Sequence, residues 1–230
     1  MQTEPREKKS VLLLGATGLI GSHCLGLLQN DDACNRIILL TRRPLPQTSL
    51  AEKTRQHVID FDRMQDYSES FAVDQLFICL GATRKKAGSK AAFYRVDFTY
   101  ALQAARLAAE RNVSDLLLVS SLGAHPGSVF FYSRVKGQLE QAVGKLPFRS
   151  ITVFRPSVLL GRREQPRPGE MMVEKLSPWF DFLFPGPLKK FKPIQAEQVA
   201  RAMVQTAQNP APGIIILESD QIQNPADSTR

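Results

Sequence analysis

The chain has 230 residues, 43% of them hydrophobic and 23% charged, a balance and length that suit one globular domain with a sizeable core. Its formal net charge of +8 is carried by short separate groups, Arg42-Arg43, Arg84-Lys85-Lys86, Arg162-Arg163 and Lys189-Lys190-Phe191-Lys192, with no basic helical stripe or aromatic-studded sheet, so a nucleic-acid partner is not expected. No apolar run is long enough to span a bilayer as a helix, so no integral membrane association is expected.

Lys8-Lys9 before Val11–Leu14 has the outline of a signal peptide, but Gly15, Gly18 and Gly21 break the apolar run and no small-residue cleavage site follows. A cytoplasmic location is expected. The same residues read better as a buried strand, a glycine turn and the start of a helix, which is how a dinucleotide-binding fold opens. Gly15 permits the tight turn, Gly18 lets a pyrophosphate approach the backbone, and Gly21 lets the helix pack on the strand. The candidate phosphate-binding residues are Gly15, Thr17, Gly18, Leu19, Ile20 and Gly21, at a helix N-terminus whose N–H groups attract anions.

Further along, strands are predicted at Val11–Leu14, Ile37–Thr41, His57–Phe61, Leu76–Leu80, Leu116–Ser120, Ile151–Phe154 and Ile214–Leu217. Apolar spacings of three and four predict helices at Leu19–Gln29, Ala91–Arg111, Ser133–Val143 and Ala196–Gln208. The alternation implies an α/β fold, a doubly wound and mostly parallel Rossmann sheet with helices on both faces. The chain is expected to be one domain with a reduced C-terminal lobe at about 161–193. There Met171–Leu183 reads as apolar and largely helical, and Trp179, Phe180, Phe182 and Phe184 are read as sheet-edge packing, a lid over an apolar substrate, or a membrane-surface contact. Gln221–Arg230 has nothing to bury and is expected to fray. Cys24, Cys34 and Cys79 show no CxxC spacing, and Cys24 and Cys79 read as buried thiols. His23, His57 and His125 show no metal-ligand spacing, so no metal is expected.

The end of the second strand is where such folds choose their cofactor. An acid there would bind the ribose hydroxyls of NAD, but this chain has Thr41-Arg42-Arg43, whose guanidiniums can hold a 2′-phosphate. NADP(H) is therefore expected over NAD(H). Asp60-Phe61 is read as the end of the third strand, with the carboxylate accepting from the adenine amino group. Leu80-Gly81-Ala82-Thr83 ends the fourth, where small residues admit the cofactor.

A second constellation is Ser120-Ser121-Leu-Gly123 followed by Tyr132-Ser-Arg-Val-Lys136. Tyrosine and lysine four apart share one helical face, and an ammonium beside a phenol favours the phenolate, so Tyr132 can act as general acid or base. A serine hydroxyl at the neighbouring strand end can hold the substrate oxygen.

Together with Arg155-Pro156-Ser157-Val-Leu-Leu-Gly161, these motifs resemble the short-chain dehydrogenase/reductase superfamily in its atypical or extended branch. Ile59-Asp60-Phe61, Cys79-Leu80-Gly81 with Thr83-Arg84, and Ser120–Ala124 look closest to its Tat-interactive-protein group. The resemblance implies that Tyr132 is the catalytic acid/base, that Lys136 holds the nicotinamide ribose and tunes Tyr132, and that Ser121, rather than Ser120, orients the carbonyl or hydroxyl. It also implies that Arg155, Pro156 and Ser157 line the nicotinamide and substrate side. The family often has Asn where Val96-Asp97 stands, and there it supports a proton relay, which Asp97 puts in question. The lobe is short against that of sugar-nucleotide epimerases. The expected activity is reversible carbonyl–alcohol hydride transfer on a small, apolar or anionic substrate. The alternative is an NADP(H)-binding regulator with little or no turnover.

Overall fold

The computed structural model describes residues 8–81, 88–161 and 190–223. Among these, seven strands form one sheet: β1 (Lys9–Leu14), β2 (Cys34–Thr41), β3 (Thr54–Val58), β4 (Gln75–Ile78), β5 (Asp115–Val119), β6 (Ser150–Arg155) and a last strand at Gly213–Glu218. A separate pair of two-residue strands, β7 (Leu159–Leu160) and β8 (Ile194–Gln195), precedes that last strand, which is therefore β9. The order is β3-β2-β1-β4-β5-β6-β9 and every pairing is parallel. β1 lies between β2 and β4, so the strand order reverses beside it, and the turns that leave β1 and β4 open onto a common crevice.

The apolar runs seen in the sequence are buried on both faces of the sheet, as parallel strands require. In β1 and β2 alternate residues enter opposite cores: Leu12, Leu14, Ile38 and Leu40 on one side, and Val11, Leu13, Ile37 and Leu39 on the other. Burying each such side chain contributes about 1.5–3 kcal/mol. The second core is covered by α1 (Leu19–Gln29) and the long helix at Ala196–Gln208. Between these in the chain lie α2 (Lys90–Tyr94), α3 (Ala101–Glu110) and α4 (Phe131–Val143), which makes the Ala196 helix α5; α6 is Ser219–Gln223. α3 and α4 cover the first core, where Ala101, Ala104, Ala105 and Ala108 permit close packing on the sheet.

Several boundaries differ from expectation. β3 is Thr54–Val58, not His57–Phe61: it is an edge strand with polar, exposed positions, and Ile59 and Phe61 are buried from the segment that follows. Phe61 begins a 3₁₀ segment, Phe61–Phe71. β4 ends at Ile78, before Leu80. The helix expected over Ala91–Arg111 is three pieces, because a π-helical turn at Arg95–Tyr100 separates α2 from α3. β7 and β8 were too short to leave a pattern. Ile222, in the tail expected to fray, is buried in the second core. Most of the stretch expected to form a C-terminal lobe, with Trp179 and its aromatic neighbours, lies outside the described residues.

Candidate functional site

The glycine turn is closed by Gly18 N–H donating to the Gly15 carbonyl at 2.8 Å. Gly15 has φ +87°, and a Cβ there would stand 2.4 Å from the Cys79 carbonyl oxygen. A Cβ on Gly21 would stand 2.1 Å from the Gly15 carbonyl oxygen. The turn, the first turn of α1 and the β4 end are thus pressed together without side chains. Gly18 caps α1 with no side-chain hydrogen bond, and the first turn carries no acid. Its N–H groups suit an incoming anion.

A cavity beside this turn is lined by Thr17, Gly18, Arg42, Phe61, Leu80 and Gly81. It shares Arg42, Phe61, Val96 and Tyr100 with a larger cavity of about 650 Å³ that also meets Asp60 and Arg95. A trough therefore runs from the glycine turn along the ends of β1 and β2. These residues fit a dinucleotide, with small backbone positions for a pyrophosphate and a guanidinium for a ribose phosphate. Arg43 is exposed and lines neither cavity. Asp60 is not the end of β3. Its carboxylate caps the 3₁₀ segment by accepting from Asp62 N–H at 3.0 Å, while still lining the larger cavity. Ala82 and Thr83 lie outside the described residues. The sequence reading missed Arg95, Val96 and Tyr100. Tyr100 donates to Asp62 at 2.8 Å, and burial, with that carboxylate, pushes its phenol above the usual range.

The second constellation lies at the end of β5. Ser120 Oγ donates to Glu140 Oε1 on α4, whereas Ser121 is buried and its Oγ has no partner among the described residues. A buried hydroxyl in that state has a hydrogen bond to give. Tyr132, in the first turn of α4, is 40% exposed and packs its ring on Phe93 at 5.5 Å. One turn on, Lys136 is 3% exposed and its Nζ meets Asp97 Oδ1 at 2.8 Å, with Asp97 1% exposed. Burial pulls the Lys136 ammonium down, but Asp97, Tyr132 and Glu140 outweigh it and hold it above the usual lysine value.

Arg155, at the end of β6, is clamped by two carboxylates. Its Nη2 meets Glu140 Oε2 at 2.5 Å and its Nη1 meets Glu218 Oε1 at 3.1 Å. Leu122 N–H donates to the Pro156 carbonyl at 2.9 Å, which ties this segment to the β5 end. Ser157 Oγ donates to the Lys192 carbonyl and accepts from Ser219 Oγ at 3.0 Å. The side chains of Arg155 and Ser157 thus bind neighbouring protein groups. Glu140 was not foreseen, although it stands four residues after Lys136 on the same helix.

The family model for the NAD dependent epimerase/dehydratase family matches residues 11–177. The chain is similar to Protein HTATIP2 of Rattus norvegicus, with 39% identity over 171 residues, 74% of this chain and 70% of the relative. It is also similar to Protein FMP52, mitochondrial, of Candida albicans, with 31% identity over 228 residues, 95% of this chain and 99% of the relative. Among solved structures, MoeE5 in complex with UDP-glucuronic acid and NAD superposes with TM-score 0.68 at 18% identity, covering 90% of this chain and 75% of the other. The fungal names overturn the expected cytoplasmic location: FMP52 relatives of Candida albicans, Emericella nidulans and Aspergillus clavatus are all named mitochondrial. The strand, glycine turn and helix of residues 9–29 fix how that segment folds, not where the protein is delivered. The glycine turn at the sheet's reversal point, the Tyr132–Lys136 helix and these matches agree, and the chain belongs to the NAD dependent epimerase/dehydratase family, within the atypical short-chain dehydrogenase/reductases of Tat-interactive-protein type.

Proposed function

We propose that the protein is an NADP(H)-dependent oxidoreductase that interconverts a carbonyl and an alcohol on a small substrate. The observation that carries this reading is the contrast along one turn of α4: Tyr132 reaches solvent, while Lys136 behind it is buried and held charged. Residues along the trough would hold the cofactor: the N–H groups of Leu19–Gly21 would take the pyrophosphate and Arg42 the 2′-phosphate. Arg43 contributes from the exposed side. When bound, the nicotinamide supplies or accepts the hydride. Ser121 Oγ–H donates to the substrate oxygen and fixes its direction. Tyr132 O–H gives its proton to that oxygen as the alcohol forms, and the Lys136 charge stabilises the phenolate left behind. In the reverse direction Tyr132 takes the proton back. The clamped Arg155-Pro156-Ser157 segment forms the wall on the nicotinamide side.

We take residues 1–230 as one domain with a reduced substrate lobe at 161–193, and the names of the fungal relatives support a mitochondrial place for it. Expression of a tagged full chain with fractionation of the cells tests that place.

Tyr132→Phe tests the chemistry. It keeps the ring against Phe93 and removes one hydroxyl, so NADPH binding is retained. Any NADPH-dependent reduction found across a panel of aldehydes and ketones falls by about 100- to 10,000-fold. Equal turnover by the variant removes Tyr132 from the mechanism. NADPH binding without turnover of any substrate favours the regulator instead.

A further inference from the structure

We propose that Asp97 is the positioning residue for Lys136, pinning its ammonium beneath the cofactor trough by a buried ion pair. The inference rests on the proposed cofactor site for one of its two readouts. Its basis is geometric. Lys136 Nζ and Asp97 Oδ1 are 2.8 Å apart, and both side chains are almost wholly withdrawn from solvent. Asp97 stands inside the π-helical turn Arg95–Tyr100, where the i→i+5 spacing widens the helix between α2 and α3; such turns recur at functional sites. It also lies beside Gly81, three residues past the end of β4: a Cβ there would come within 3.7 Å of Asp97 Oδ1.

An ammonium has three donors, so the bond to Asp97 leaves two for other acceptors. The ribose hydroxyls and the Tyr132 oxygen are the acceptors the proposed function requires. The groups whose charge acts on Lys136 are Asp97 from the π-turn and Tyr132 and Glu140 from its own helix. Glu140 is already gripped by Arg155 and Ser120. Asp97 is therefore the carboxylate that answers the lysine. A neutral amide in its place, able only to accept weakly at its oxygen, would leave burial as the dominant influence on Lys136, and a lone buried ammonium gives up its proton readily. In this chain the position thus supplies a fixed counter-charge rather than a relay atom.

The test compares the full chain with Asp97→Asn, which keeps the shape and removes the charge. The first readout needs no cofactor. Lysine labelled with ¹³C at Cε is followed by NMR against pH, the Lys136 signal being identified by its loss in Lys136→Met. Lys136 should lose its proton above the ordinary lysine value, about 10.4, in the parent and below it in Asp97→Asn. Equal titration in both proteins overturns the proposal. The second readout is NADPH binding by calorimetry between pH 6 and 9. The parent should stay level, while Asp97→Asn weakens by about tenfold or more toward pH 9 as a hydrogen bond to a charged group is lost. In a Lys136→Met background, Asp97→Asn should add no pH dependence; a slope that persists there assigns Asp97 a merely structural role and overturns the proposal. If neither protein binds NADPH while the Lys136 titration still shifts, the cofactor reading fails and the pairing stands. Should Asp97→Asn not fold, the parent decides alone: a Lys136 that titrates below the ordinary lysine value, about 10.4, overturns the proposal.

Discussion

Gly15 and Cys79 approach so closely that the Gly15 α-carbon has no room for a methyl group, which would sit 2.4 Å from the Cys79 carbonyl oxygen at a φ of +87°. The contact is backbone against backbone, so no side chain can rotate away. Gly15→Ala should therefore destabilise the chain by about 1–3 kcal/mol, the usual range for overpacking, with added strain from the left-handed φ. Urea denaturation followed by circular dichroism measures this. Gly18→Ala is the contrast: its new methyl would meet the Gly15 carbonyl oxygen at 3.1 Å, so it should fold more nearly as the parent does while losing dinucleotide affinity. A Gly15→Ala protein as stable as the parent would contradict the packing described here.

Arg42 lines both cavities and Arg43 neither. The ratio of NADPH to NADH affinity should therefore fall about tenfold or more in Arg42→Ala, as expected for one lost bond to a charged group, and less in Arg43→Ala. Calorimetry with both cofactors on all three proteins gives the ratios. A parent that binds the two cofactors equally well removes the 2′-phosphate argument.

Glu140 holds Ser120 and Arg155 at once. Glu140→Ala leaves Arg155 with Glu218 alone and strips Ser120 of its acceptor. The expected loss is about 3 kcal/mol, the low end for breaking a buried pair because Arg155 is partly exposed. Arg201→Ala, which breaks the exposed pair with Glu197 on α5, should change stability far less, because solvent screens an exposed pair. Urea midpoints for the two variants should differ in that order.

The Lys136 ammonium is held above its ordinary value in the folded protein. A group of that kind contributes stability that is fully present below the unfolded lysine value, about 10.4, and is lost as pH rises through the folded one. The stability gap between the parent and Lys136→Met should stay level up to about pH 10 and narrow above it. Urea unfolding at a series of alkaline pH values tests this; a parent that gains stability over Lys136→Met between pH 7 and 9 would show Lys136 to be lowered instead.

Much of the fold was legible because β1 and β2 are apolar on both faces and the glycine turn has few structural uses. β3 was misplaced because an edge strand with a polar surface gives no apolar run, while the neighbouring Ile59 and Phe61 do. Ser121 was preferred over Ser120 by resemblance alone; that Ser120 donates to Glu140 was not legible, because it depends on a helix brought across from another part of the chain. The π-turn left no mark in residue types, since one extra residue in a helix changes its register and not its composition. For the same reason the partnership of Asp97 and Lys136 was hidden.

Glu218, which closes the clamp on Arg155, stands at the end of β9, the last strand in chain order. During synthesis, β1, β2 and β4 with the glycine turn are all available well before that strand emerges. Until that strand is made, β6 is an open edge and Arg155 has only Glu140 beside it. A domain folds as a unit, so interruption of synthesis before residue 213 would cost the sheet its last strand and Arg155 one of its two carboxylates.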